Sequence, residues 1–195
     1  MIAYAMTVRR WWVVAPTLAL IVFVCLAVGA SEVPVPSLVG GMTGARLDYF
    51  APILAVIAVM YCMDRRLPEP ERTAVVPVRR LDRAAIAITS AFALGSGALI
   101  GMDIARNLVL LVSLALLVRR VANEATAAAT GMALLVASLV AGRAYQPGGS
   151  TTHTWWALPL YSAGSVTAWL ATLCLFALAL FVSCGDSGFS GPRRS

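Results

Sequence analysis

Apolar and polar positions alternate along this chain on a coarse scale. Six long apolar stretches, near 11–30, 49–63, 84–101, 105–118, 125–141 and 162–184, are separated by short polar segments. Crossing a hydrocarbon core of about 30 Å takes about 20 helical residues, with a usable range of roughly 17–25. The first, third, fifth and sixth stretches meet that range; the second and fourth reach it only with their polar flanks in the interfaces. The pattern predicts an all-α polytopic membrane protein of six transmembrane helices, forming one domain over 1–184. The polar, glycine-rich segment 185–195 is expected to be a disordered tail. No internal repeat rises above the general likeness of one apolar helix to another.

Charge orients the pattern. All 15 basic residues are arginine. With the amino end inside and the segments alternating, the inner ones hold Arg9, Arg10, Arg65, Arg66, Arg72, Arg79, Arg80, Arg83, Arg119, Arg120, Arg193 and Arg194. The outer ones hold only Arg46, Arg106 and Arg143, a split of 12 against 3. The positive-inside bias therefore puts both termini in the cytoplasm.

Composition narrows the class. A 60% hydrophobic content with 12% charged residues and a mean hydropathy of +0.84 exclude an ordinary water-soluble domain. Six spans in 195 residues leave only small loops, so any nucleotide-binding or catalytic domain must come from another chain. The net charge of +6 invites a nucleic-acid reading, but the arginines sit at helix ends and in one loop, where topology explains them. Cys25, Cys62, Cys174 and Cys184 lie within or at the inner ends of apolar stretches and form no CxxC pair, which disfavours a disulfide framework. Arg9 and Arg10 before an apolar run imitate a secretory signal. The run to Ala30 exceeds the usual 7–15 residues, and five more spans follow, so a retained first helix is expected.

Local signals refine the helices. Trp11 and Trp12 anchor helix one directly after an arginine pair, and Pro16 permits a kink. The connection 31–48 carries Pro34, Pro36, Gly40, Gly41 and Gly44 and is expected to be irregular. Tyr49 and Tyr61 mark the two ends of helix two. Helix three is dense in small residues, among them Ala84, Ala87, Ser90, Ala91, Ala93, Gly95 and Gly97, and is expected to be central to the bundle. A tight connection at 101–107 leads to helix four, which ends at Arg119 and Arg120; Asn123 and Glu124 begin helix five. The last outer loop, 142–161, holds a flexible run at 146–150. Trp155, Trp156, Pro159 and Tyr161 then follow, expected along the outer interface.

Candidate chemistry is sparse. The chain has no GxxxxGK[ST], no GxGxxG opening a helix, no HExxH and no GxSxG. The single histidine, His153, lies in the outer loop beside Thr151, Thr152 and Thr154, a poor metal site and an ordinary solvated position. Acids inside a membrane are costly and usually functional. Here Glu32, Asp48, Asp64, Asp103 and Glu124 all map to helix ends, which argues against a proton-coupled pump or an intramembrane carboxylate enzyme. Asp103 and Arg106, spaced i, i+3, are expected to pair at the outer rim with Asn107 beside them. A cap and salt bridge closing a tight turn outweighs a substrate contact there.

The inner loop 64–83 reads DRRLPEPERTAVVPVRRLDR, with six arginines, four acids and three prolines in twenty residues. Pro68 and Pro70 enforce an extended lead-in. Residues 71–76 suit a short turn stopped by Pro77, and from Val78 an amphipathic start to helix three carries Asp82 near its amino end. Positive-inside retention and helix capping account for many of these charges. The interleaved signs on a restricted backbone also suit docking by a partner protein, because complementary charge fixes register. Docking is slightly favoured.

Three segments carry a resemblance: ERTAVVPVRRLDRA after helix two, IARNLVLLVSLALLVRR through helix four, and WWALPLYSAGSVTAWLATLCLFALALF into helix six. In this order, with six spans and both ends inside, the chain resembles the small six-helix permeases of ATP-binding-cassette exporters. The likeness is to the type-2 class in its arginine-rich, lysine-poor actinobacterial form. The resemblance implies a permease subunit in the bacterial cytoplasmic (inner) membrane, pairing with itself or with a similar permease. It also implies a separate cytoplasmic ATP-binding-cassette ATPase docked beneath, with ATP and Mg on that partner and no cofactor bound directly. The loop between helices two and three would be the coupling element. Residue by residue this points to Glu69, Glu71, Arg72 and Thr73, supported by Arg79, Arg80, Asp82 and Arg83. Helices two and four are shorter, and the segment before helix six briefer, than the family pattern.

The chain would then be no enzyme itself, and its export substrate hydrophobic or amphipathic. Two other classes compete. A non-transporting membrane partner, such as an immunity or assembly protein, needs only the same bundle and docking loop. A membrane-embedded enzyme acting on a lipid or prenyl group predicts clustered Asp, Glu, His or Asn facing one cavity, which mid-span positions scarcely offer. Genomic adjacency to an ATPase gene would favour the exporter.

Overall fold

Each of the six apolar stretches forms an α-helix in the computed structural model, which describes residues 10–36, 42–64, 78–145 and 151–182. After a 3-10 turn at Trp11–Val13, α1 spans Val14–Val28. A second 3-10 turn, Leu47–Phe50, leads into α2, Pro52–Asp64. Then come α3 (Val78–Ile100), α4 (Met102–Val121), α5 (Glu124–Ala141) and α6 (Val166–Val182). Expectations for 71–76, 146–150 and 185–195 lie outside the described residues.

Among the described residues, four segments are long and apolar enough to cross a membrane: Trp11–Val28, Leu47–Asp64, Asp82–Ile100 and Glu124–Ala141. Val166–Val182 is a shorter apolar helix of 17 residues. The 20-residue α4 carries Asp103, Arg106, Arg119 and Arg120. Exposure agrees with an apolar surrounding. Only 17% of the Trp11–Val28 stretch is buried although its mean hydropathy is 2.4, and Phe23, Leu26, Phe92, Leu99 and Phe181 stand exposed on different helices. A soluble monomer rarely presents apolar surface on this scale.

The helix ends are tied in two groups. At one end Trp11 meets Asp82 of α3, Arg119 of α4 meets Met63 of α2 and Glu124 of α5, and Arg120 meets Val182 of α6. This is the arginine end. At the opposite end two antiparallel hairpins cap the bundle. The strands β1 (Glu32–Pro36) and β2 (Met42–Arg46) pair Glu32 with Arg46, and β3 (Arg143–Tyr145) and β4 (Thr151–His153) pair Arg143 with His153. The first hairpin corrects the expectation of an irregular connection over 31–48. Pro34 and Pro36 are tolerated because each strand of a two-stranded ribbon is an edge, where a missing N–H faces away from the ladder. The hairpins rest on a small second core of Ala45, Leu139, Ala157 and Leu160.

The centre of the bundle is α4, not α3. It packs against α2, α3, α5 and α6, and residues 104–113 are buried without a break. A helix apolar on all sides belongs inside. The small residues of α3 divide between two faces. Ser90, Ala93 and Gly97 are buried, with Gly97 close against Met102 and Ala105, whereas Ala84, Ala87, Ala91 and Gly95 are exposed. One residue, Gly101, separates α3 from α4, a tighter join than the expected connection. Its φ of 106° lies where a side chain is strained, so glycine permits the reversal.

Candidate functional site

Polar side chains gather at both ends of the bundle. At the hairpin end α4 starts so abruptly that Arg106 and Asn107 sit one turn inside it, beneath the 3-10 turn Leu158–Leu160. Both are 0% exposed. The two side chains donate to carbonyls of this turn and of the two residues that follow it. Arg106 donates from Nη1 to the Ser162 carbonyl at 2.9 Å, and from Nη2 to the carbonyls of Tyr161 at 2.7 Å and Leu158 at 3.2 Å. It also reaches Asn107 Oδ1 at 3.2 Å, while Asn107 Nδ2 donates to the Pro159 carbonyl at 2.9 Å. The expected pairing of Arg106 with Asp103 is thereby corrected: the guanidinium turns to carbonyls of the approach to α6. These residues are a buried clamp, not an exposed rim.

Asp48 is buried beside them at 2% exposure and ion-paired with Arg46. Arg143 Nη2 donates to the Gly44 carbonyl at 3.3 Å, joining the two hairpins. His153 lies across the ladder from Arg143 and 5.9 Å from the Tyr161 ring. Burial first, and the neighbouring Arg143 second, hold its pKa below the ordinary histidine value. Of the expected aromatic cluster, Trp155 is exposed and Pro159 buried.

The arginine end holds the stems of the 65–77 segment. Of the residues assigned to coupling, Glu69, Glu71, Arg72 and Thr73 lie outside the described residues. Arg79 and Arg80 fall in the first turn of α3. Asp82, expected among the contacts offered to a partner, is instead buried at 8% exposure and accepts a hydrogen bond from Trp11 Nε1 at 3.3 Å. Arg83 is half-buried and engaged within the chain.

Two residues here exceed what topology required of them. Arg119 donates from Nη2 to the Met63 carbonyl at 2.9 Å and pairs through Nε with Glu124 at 2.9 Å. Arg120 donates to the Val182 carbonyl. Cations thus meet the last carbonyls of α2 and α6, where the helix dipole favours them. The signal was legible: two arginines ending one helix immediately before the cap of the next. That cap is Asn123, whose Oδ1 accepts from the Thr126 amide at 2.8 Å.

Between the arginine ends of α2 and α5 runs a groove of about 250 Å³, floored by Met60 and Ala128 and flanked by Tyr61, Asp64 and Glu124. Enclosed ligand sites usually occupy about 300–1,000 Å³, so this groove is a surface furrow. Among the described residues no group of three or more His, Cys, Asp and Glu gathers at a possible metal position. No family model matches this chain, and no curated protein or solved structure matches it.

Proposed function

We propose that the chain is the membrane-spanning permease subunit of an ATP-binding-cassette exporter, with six spans and both termini cytoplasmic. One observation carries this reading: the charge concentrates at one end. Arg10, Arg79, Arg80, Arg83, Arg119 and Arg120 belong to the arginine end, against Arg46, Arg106 and Arg143 at the hairpin end. The positive-inside bias makes the arginine end cytoplasmic, and the mixed-charge loop 64–83 then faces the cytoplasm between two helices. ATP binding would close a partner ATPase pair, displace that loop, and tilt α2 and α3 with the rest of the bundle. A coupled equilibrium needs contacts that differ between the two states, and the loop supplies the handle.

The packed interior supports a pair of permeases. With α4 buried along residues 104–113, one copy is filled by its own side chains, so a hydrophobic or amphipathic cargo would pass between two copies. The same packing favours the second reading, a non-transporting membrane partner such as an immunity or assembly protein. Co-purification from native membranes separates the two. The exporter reading expects an ATPase recovered with the chain at equal stoichiometry; a chain recovered without any nucleotide hydrolase overturns it.

A further inference from the structure

The segment 65–77 enters from the last turn of α2 and leaves into the first turn of α3. Two adjacent residues of the pre-helical turn before α1 reach both stems. Arg10 hydrogen-bonds the Tyr61 hydroxyl, and its guanidinium carbon lies 5.7 Å from the centroid of that ring, within cation–π range. Its carbonyl accepts from Cys62 Sγ at 3.3 Å and from the Val13 amide at 2.9 Å. The next side chain, Trp11, donates its indole N–H to Asp82 at 3.3 Å.

The backbone between them is unusual. Arg10 has φ 53° and ψ 32°, the single left-handed non-glycine among the described residues. Such a conformation costs energy and persists only where its surroundings over-determine it. Here the surroundings are the contacts themselves. The left-handed residue lets consecutive side chains diverge, Arg10 toward α2 and Trp11 toward α3. Cys62 is 0% exposed, Trp11 and Asp82 each 8%, so the junction is closed.

We infer that the Arg10–Trp11 turn is a strap binding the ends of α2 and α3 to the start of α1, so that the three move as one body. Its geometry stands alone; only its consequence, that displacement of the loop drives α1 as well, rests on the exporter reading. Asp82 is then a positioning residue for the loop stem.

Cys62 reports directly on the strap, because it is sealed beneath the Arg10 carbonyl. The experiment uses the full chain in lipid nanodiscs, with Cys25, Cys174 and Cys184 changed to serine. Alkylation of Cys62 by N-ethylmaleimide is followed by mass spectrometry, with no ATPase present. Trp11→Phe keeps an aromatic side chain but removes the donor with the five-membered half of the indole, and Asp82→Ala removes the acceptor. Each should speed alkylation roughly two- to tenfold, the effect of one lost hydrogen bond on local opening. The double variant should be no faster than the faster single one, because both break the same bond. Tyr61→Phe, at an exposed position, should give a smaller increase and serves if Asp82→Ala fails to fold. Unchanged rates in Trp11→Phe and Tyr61→Phe, or increases that multiply in the double variant, would overturn the strap. A silent loop variant in a coupled ATPase assay would remove the exporter reading and leave this result standing.

Discussion

The two ends of the bundle use arginine in opposite ways. At the hairpin end Arg106 is fully buried, and its partners are three carbonyls and one amide oxygen of the same chain. At the arginine end the guanidinium groups lie at helix ends, Arg120 exposed and Arg119 largely covered, with 12% of its side chain exposed. A cation enclosed by acceptors of its own chain is committed to holding the fold. Arg119 and Arg120 also bond within the chain, but Arg120 does so at an exposed helix end where its charge still meets the surroundings. Buried ionisable groups are common functional candidates, and Arg106 is one whose burial serves the fold. Among the described residues Arg106 is a fully buried cation, at 0% exposure.

The contrast predicts a gradient of effects. Arg106→Ala removes a fully buried guanidinium with four hydrogen-bond contacts and should cost about 3–5 kcal/mol, the range for breaking a buried charged contact. Thermal unfolding in detergent should show it, with loss of a monodisperse peak at growth temperature. Arg106→Lys should recover only part, since one ammonium lacks the fork that reaches from Leu158 to Ser162. A marginal effect of Arg106→Ala would erase the distinction between the two ends.

Next comes the loop. On the proposed exporter reading, Glu71→Arg should leave unfolding and membrane insertion unaltered while abolishing stimulation of the partner ATPase in the reconstituted pair. Full stimulation by that variant would withdraw the coupling role of 64–83. Smaller still is Arg119→Ala, which should cost about 1–2 kcal/mol by releasing the Met63 carbonyl and Glu124 together. Arg120→Ala, at an exposed position, should stay within about 0.5 kcal/mol. Equal losses from the two would mean that the α6 contact matters as much as the α2 contact.

Much of the fold was readable in the chain because apolar runs and arginine pairs are strong local signals. Helix existence followed from run length, the start of α3 at Val78 from the stop at Pro77, and the start of α5 from Asn123. What escaped depended on neighbours distant in sequence. Proline and glycine in 31–48 read as breakers, yet a two-stranded ribbon accepts proline on its outer edges. Small residues pointed to α3 as the centre, but burial depends on being surrounded. The better signal lay in α4, where Arg106, Asn107 and Ser113 interrupt a bulky apolar run that had to be enclosed to keep them. Asp82 and Trp11, 71 residues apart, carry no local sign of their bond. The assigned loop residues Glu69, Glu71, Arg72 and Thr73 remain a sequence inference.

The last and smallest effect concerns His153, the one titrating group near neutral pH at the hairpin end. Its folded pKa is depressed, by burial first and by Arg143 across the ladder second. Unfolded, it should titrate near the ordinary value of about 6.5. The folded state therefore binds this proton less readily than the unfolded one. Linkage then makes stability flat above the unfolded value and lower as pH falls from there through the depressed folded value, levelling off below it. The burial is only partial, since His153 remains exposed on one side, so solvent screening keeps the amplitude small. His153→Gln should remove this part of the decline in melting temperature between about pH 7 and pH 5, and Arg143→Gln should shrink it. If Arg143→Gln instead deepened the decline, its bond to the Gly44 carbonyl would matter more to that hairpin than the charge it sets against His153.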